Sequence, residues 1–371
     1  MCFLPATNGD ETVWPFIEAP QLTTRVTGEL VVSANSQHLY QVITGFLLLQ
    51  RASIVDVSLR FDKDYRSRLP TAHIAELRVE GGATIAYDMI DGYNFAGPVA
   101  LSEYLNRVDC YFKRSFDAAS HANVANGSRI VPFGLNYPVT VNHRFFAGLG
   151  PTGLLGLPER AARLIVGARS LDVSRFEDVP RHHSDPQVLF QTRTWDPAEV
   201  AETNDDWRIE REQMNEMRAS CVRLLRQEFG SRFHGGFMPT EHARRNFPDC
   251  VVGAEMASKR RYMQTLKDTD ICIATAGLHG SNGWSLGEYV AASKAIVSQR
   301  LRYDVPAFRE GHHYLGFSTP QECVDAVSTL ISEKSRLRKM KIANYAYYHQ
   351  FLRPDRLVLN SLLLAMNGHA A

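Results

Sequence analysis

Strand-patterned and helix-patterned segments alternate along this chain in two separate series, and this limits the fold more than any other feature. In the first series, residues 29–33 (ELVVS) read as a short buried strand. Asn35 and Ser36 then offer caps for a helix over 37–51, where Leu39, Val42, Ile43, Phe46, Leu47 and Leu49 recur at helical spacing. Strand patterns follow at 54–59, 74–79 and 84–87, the last two separated by the turn signal Gly81-Gly82. A helix over 99–106 and strands at 108–112 and 129–133 complete the series. The second series starts after Pro186, with a strand at 187–192 and a long helix over 205–229. The apolar residues of that helix are Trp207, Ile209, Met214, Met217, Cys221, Leu224 and Leu225. Strands at 232–236, 251–252, 270–275 and 294–298 alternate with helices over 259–266 and 286–293. A helix over 320–332 and one or two more from Leu337 end the chain. Alternation of this kind predicts parallel sheets covered by helices on both faces.

The stretch 134–185 breaks the pattern. It is rich in Gly and Pro and holds one predicted helix, 158–168. The expected plan is therefore an irregular arm (1–28), an α/β unit (29–150), a linker (151–185), a second α/β unit (186–340) and a C-terminal helical segment (341–371). A length of 371 residues suits two domains with full cores. The charge balance, 41 basic against 40 acidic residues, argues against a dedicated nucleic-acid binder. The opening MCFLPATNGDETVWPF has no basic segment or long apolar core, unlike a secretory signal. The six cysteines (Cys2, Cys110, Cys221, Cys250, Cys272 and Cys323) show no CxxC spacing and read as thiols of a reducing, cytoplasmic compartment. No metal-ligand spacing is present, and the pairs His182-His183 and His312-His313 read as solvated loop residues.

Residues 270–298 carry the most chemical information. A buried strand runs into a loop with Gly277, Gly280 and Gly283, then into a helix with Glu288, then into a second strand. In an open parallel sheet, ligands bind beyond the carboxyl ends of the strands. Glycines there let backbone approach a phosphate, and a helix N-terminus offers it free N–H groups. A glutamate one turn into the helix suits a ribose diol.

This stretch resembles the donor half of GT-B glycosyltransferases, in which a strand and glycine loop precede a Glu-containing helix and a strand of the form EAMAxGxPVV. GEYVAASKAIV matches that form, with Glu288 at the ribose position. QVLFQTRTWDP is similar to the first donor-domain strand, with Arg193 as its diphosphate contact, and RFHGGFMP to the strand before the base-contacting loop, which points to Phe237 and Met238. The resemblance covers about 186–340. It implies two Rossmann-like domains facing a cleft, a last helix crossing back to the first domain, and sugar transfer from a nucleotide-activated donor. That donor is a co-substrate, and no metal or other cofactor is implied. The acceptor would be a glycan, a lipid-linked glycan or a small molecule, as in polysaccharide assembly. The chain departs from the family where many members carry E-x7-E: Gly280 stands at the first glutamate. His279, Ser281, Asn282 or backbone amides would then hold the sugar, and a non-catalytic binding subunit of the same fold is the alternative.

A base for the acceptor hydroxyl should lie on a loop at the carboxyl end of a first-domain strand. The candidates are His38 in SANSQH, and Asp88 and Asp91 in YDMIDGYNF. Residues 148–153 also fit G-x-G-x-x-G, with Asp172 downstream, as in an NAD(P)-dependent oxidoreductase, but Pro151 sits in the loop and no helix follows directly. The C-terminal segment is basic, with Lys334, Arg336, Arg338, Lys339, Lys341, Arg353 and Arg356, and carries Tyr345, Tyr347, Tyr348 and Phe351. A crossing helix with a solvated basic face is the favoured reading of it; peripheral contact with a membrane bearing the acceptor is the second.

Overall fold

The computed structural model describes Leu22 and residues 25–95, 99–142, 171–201 and 204–368. The first unit is a six-stranded sheet: β1 (Val26–Val32), β2 (Val55–Phe61), β3 (Ile74–Val79), β4 (Thr84–Asp88), β5 (Cys110–Lys113) and β6 (Ile130–Pro132), in the order β2-β1-β3-β4-β5-β6. Strand β1 begins at Val26, inside the expected arm. The helix α1 (Tyr40–Arg51) packs on this sheet through Val42, Ile43, Phe46, Leu47 and Leu49.

One expectation is corrected here. The first sheet is mixed, because β3 runs antiparallel to both β1 and β4. The cause is local. Gly81 (φ +66°) permits a tight turn, closed by the Val79 N–H on the Ala83 carbonyl at 3.0 Å, and so short a connection can only join antiparallel strands. Strands β1/β2, β4/β5 and β5/β6 are parallel.

The second sheet is parallel throughout its pairings: β7 (Val188–Thr192), β8 (Phe233–Phe237), β9 (Ile271–Ala274), β10 (Ala295–Gln299) and β11 (Leu315–Phe317), in the order β11-β10-β9-β7-β8. Its longer helices are α2 (Asp205–Phe229), α3 (Lys259–Asp268), α4 (Trp284–Ala291), α5 (Pro320–Ser332) and α6 (Lys334–Tyr347). Residues 251–252 form only an isolated bridge, Val251 to Phe237. Helix α2 buries Cys221, Val222 and Leu225, while in its first two turns Trp207 is 41% and Ile209 48% exposed, the Trp207 ring standing 4.8 Å from that of His279. The predicted helix 158–168 and the motif 148–153 lie outside the described residues. Asp172 caps the short helix Val173–Phe176 by accepting from the Ser174 N–H at 3.1 Å.

The C-terminal segment does cross back. A π-helical turn at Tyr348–Leu352 redirects the chain after α6, and α7 (Pro354–Gly368) packs on α1 of the first unit. The two helices meet at Gly45, where a Cβ would stand 2.3 Å from the Pro354 carbonyl oxygen and 2.5 Å from Val358 Cγ2. Gln41 Nε2 donates to the Leu352 carbonyl at 3.0 Å, and the Tyr87 and Ser361 hydroxyls are 3.0 Å apart. Two sequence expectations are corrected in this region. Lys341 is not part of a solvated basic face: it is buried and paired with Asp270 at 2.7 Å. His183 bonds the same aspartate at 2.9 Å, and His313 is buried against Phe308, so neither is a freely solvated loop histidine.

Gly45→Val should therefore destabilise the protein by about 1–3 kcal/mol, as overpacking does. A thermal melt should show a Tm several degrees lower, and an unchanged Tm would contradict the described α1–α7 contact.

Candidate functional site

The carboxyl edges of the two sheets face each other, and the site is built there. On the first unit, the Ser36 hydroxyl caps the turn after β1 by accepting from the His38 N–H at 3.3 Å. It also lies 2.7 Å from His73 Nδ1. The His38 ring packs 4.7 Å from His73 and 4.9 Å from Trp284, which begins α4 of the second unit. Asp91 follows β4. Its neighbour Gly92 (φ +65°) takes a left-handed turn that brings the loop against the other unit; a Cβ there would lie 3.1 Å from His279 Cβ and 3.2 Å from the Tyr303 hydroxyl.

Arg114 follows β5 and is 3% exposed. Its Nη1 donates to Asp91 Oδ1 and lies 3.4 Å from His38 Nδ1, while its Nη2 donates to the Asn282 carbonyl at 2.6 Å.

On the second unit, the loop between β9 and α4 is held from several sides. The Gly277 N–H donates to the Ser281 carbonyl at 2.7 Å, and the Tyr303 hydroxyl to the His279 carbonyl at 2.9 Å. His279 and Gly280 are both left-handed (φ +60° and +66°). Glu210 of α2 accepts from the Gly280 N–H at 3.1 Å and lies 3.6 Å from His279 Nδ1. Arg218, buried in α2, donates to the Thr275 hydroxyl at 2.9 Å and to the carbonyls of Arg193 and Ala276 at 2.7 and 2.8 Å. Burial, with the Arg193 charge beside it, pulls the Arg218 guanidinium down to about 9. Gly283 starts α4 without a side-chain cap; the Leu286 N–H bonds the Gly283 carbonyl at 3.1 Å, which leaves the Trp284 and Ser285 N–H groups to face an anion. Arg193 is exposed, stacks 3.6 Å over Trp195 and is close enough to feel the Asp91 charge.

The fold thus gathers His38, Asp91, Arg193, His279, Gly280, Ser281 and Asn282 around one cleft. The other predicted residues lie elsewhere. Asp88 is fully buried at the end of β4, paired with Lys113 at 3.0 Å and accepting from the Tyr111 hydroxyl at 2.6 Å and the Ile90 N–H at 2.9 Å. Phe237 is core, its ring 5.4 Å from Phe247. Met238 is half-buried, its sulfur accepting from Gln191 at 3.0 Å. Glu288 is buried in α4 and already holds Lys259 at 3.0 Å and the Tyr262 hydroxyl.

Sequence reasoning missed Arg114, Glu210, Arg218 and His73. A signal existed for the first. Arg114 directly follows an apolar strand in the same register in which Arg193 follows β7.

The charges in the cleft set one another. Burial is the larger force on His38 and, with the Arg114 charge, holds its imidazole down to about 4 despite Asp91. Burial also lowers His73. For Asp91, burial pushes the carboxyl up. Arg114 and His38, with hydrogen bonds from Ser281 and Arg114, outweigh it and hold the carboxyl below its ordinary range. At neutral pH the cleft therefore presents a neutral imidazole beside an ionised carboxylate. Among the described residues, no group of three His, Cys, Asp or Glu side chains is placed to hold a metal ion, and no helix is long and apolar enough to cross a membrane.

Two expected outcomes follow from these contacts. Removing one partner of a buried ion pair costs about 3–5 kcal/mol, so Asp88→Ala, which leaves the fully buried Lys113 without its carboxylate, should cost that much in a denaturant titration. His38, His73 and His313 all have folded values below their unfolded ones, with His38 near 4 and His313 near 3. Their stabilising contribution is complete above the unfolded value near 6.5 and is lost as pH falls toward the folded values. The denaturation midpoint should drop between about pH 6.5 and 4, with a shallower slope in His313→Phe; a flat profile would contradict the burial of these rings.

No family model matches this chain, and no curated protein matches it. Among solved structures it is similar to a Listeria monocytogenes protein assigned as a UDP-N-acetylglucosamine 2-epimerase, at 11% identity, over 94% of this chain and 97% of that one, with a TM-score of 0.41. It is also similar to the C-terminal domain of the glycosyl transferase group 1 family protein LpcC from Francisella tularensis, at 12% identity, over 48% and 96%, with a TM-score of 0.29. A third is the Neisseria meningitidis UDP-GlcNAc 2-epimerase bound to UDP-GlcNAc, at 12% identity, over 72% of this chain and 63% of that one, with a TM-score of 0.36. Likenesses this distant carry no functional weight. Two Rossmann-like units that face a cleft, with a last helix crossing back to the first, make the architecture of this chain the GT-B one.

Proposed function

We propose that this chain is a glycosyltransferase that moves a sugar from a nucleotide-activated donor to an acceptor hydroxyl, without a bound metal, in the cleft between its units. One observation carries the reading. Asp91 and His38 of the first unit stand across from Arg193 and the glycine loop of the second, with Arg114 touching both sides.

The chemistry divides between the two faces. Breaking the bond from sugar to diphosphate builds negative charge on the leaving group. Arg193 and the uncapped N–H groups of α4 are the groups placed to stabilise that charge. The acceptor hydroxyl must lose a proton as it attacks. Asp91 is ionised at neutral pH and its side chain is 27% exposed, so it reaches the cleft as base, and neutral His38 beside it orients the acceptor. Asp88 has no part in this step, since its carboxylate is spent on Lys113 and Tyr111. Glu288, the ribose contact that the resemblance implies, has no assigned part in this step, since its carboxylate is held by Lys259 and Tyr262. The acceptor class proposed is a glycan or lipid-linked glycan, met at the cytoplasmic face.

Calorimetry with UDP-, GDP- and dTDP-sugars tests the reading. One donor should bind, with a Kd raised tenfold or more, about 1.4 kcal/mol, in Arg193→Ala. Asp91→Asn should keep that affinity and lose about 10²–10⁴-fold in turnover. Nucleotide affinity unchanged in Arg193→Ala would contradict the donor assignment. A bound donor with no release of nucleoside diphosphate would favour a binding subunit.

A further inference from the structure

Arg114 makes contacts on both sides of the cleft. Nη1 belongs to the first unit, donating to Asp91 and standing 3.4 Å from His38 Nδ1. Nη2 belongs to the second, donating to the Asn282 carbonyl at 2.6 Å. Asn282 is tied in turn to the Tyr303 carbonyl at 3.2 Å, so Nη2 reports the position of the whole glycine loop. The side chain is 3% exposed and its Nε is buried with no partner. A buried N–H without an acceptor costs about 1–3 kcal/mol and is expected to find one when an acceptor arrives. A guanidinium is planar and rigid, so Nη2 cannot follow the loop without turning Nη1.

We propose that Arg114 is a positioning residue that couples the glycine loop to the Asp91–His38 pair, so that an anion seated at the loop resets the pair for proton transfer. The identity of the anion, a nucleoside diphosphate, rests on the function proposed above; the coupling does not. An anion that engages Nε or Nη2 draws the guanidinium away from His38 and Asp91. His38 is faced by Arg114 after β5, Asp91 after β4, His73 before β3 and the Trp284 ring of α4. Asp88 and Arg66 act on His73 in turn, and Arg193 lies within reach of Asp91. Ser281 of the loop bonds Asp91 but not His38, so of these groups Arg114 is the one that touches both members of the pair and the loop.

The test is an NMR titration of the His38 imidazole in the full chain, assigned against His38→Gln, with and without saturating UDP. In the wild type, UDP should raise the His38 midpoint by about one pH unit. In Arg114→Gln the midpoint should already be raised without UDP and should not respond to it. Arg114→Lys keeps the charge but not the fork, so the midpoint should stay low and the UDP response should be lost. Gly280→Val moves the loop without any ligand, because φ is +66° and its Cβ would stand 2.9 Å from Arg302 Cδ. It should shift His38 when Arg114 is present and not in the double variant with Arg114→Gln. The proposal is overturned if UDP binds with no change at His38, if the response survives in either Arg114 variant, or if Gly280→Val leaves His38 unmoved. Should UDP fail to bind, the donor reading falls, and the Gly280→Val pair decides the coupling on its own.

Discussion

The structure depends on one close approach between helices. Helix α7 returns from the second unit and lies on α1 of the first at Gly45, where no side-chain atom separates the helix from the Pro354 carbonyl. The contact seals the first core, since Leu357, Val358, Leu359 and Leu362 join Val42, Phe46 and Tyr87 in one cluster. It also fixes the two sheets carboxyl edge to carboxyl edge. The cleft is a consequence of that closure, because loops after β1, β4, β5, β7 and β9 have no other place to project.

Buried charge organises the ends of the strands. Asp88 with Lys113 sits at the carboxyl ends of β4 and β5, which feed the cleft, whereas Asp270 with Lys341 sits at the amino end of β9 and Glu76 accepts from Tyr65 and Tyr104 within the first unit. The two ion pairs gain little net stability over apolar packing, yet losing one partner is costly. The first of them holds the origins of the cleft loops after β4 and β5 in place. The cleft itself uses charge differently. Asp91, His38 and Arg193 are partly open, and their proton affinities are set by each other and by partial burial.

Much of the fold was legible because its signals are local. The helical spacing of Val42, Ile43, Phe46 and Leu49 and the apolar strands before Arg193 and Gly277 needed no tertiary information. The antiparallel β3 was also visible in Gly81-Gly82, once a turn that short is taken to exclude a crossover. The site was legible only in part. Arg193, Asp91, His38 and the glycine loop were placed by their position after strands. Asp88 and Asp91 sit three residues apart, but the first ends β4 as the buried partner of Lys113 and the second lies in the loop beyond the strand. Glu210 and Arg218 act from the side of a long helix, and Arg114 acts across the units. Contacts between segments 25 to 168 residues apart leave no pattern in a single sequence. Lys341 misled for the same reason, since a basic stretch does not show which lysine turns inward.

The proposed reaction requires an anionic ligand between Arg193, the first turn of α4 and Arg114. A crystal structure grown with UDP tests it most directly. Density for the diphosphate should appear within hydrogen-bond distance of the Arg193 guanidinium and the Trp284 or Ser285 N–H groups. Density for the nucleotide at residues 148–153, or on a face of either sheet away from the carboxyl edges, would contradict it.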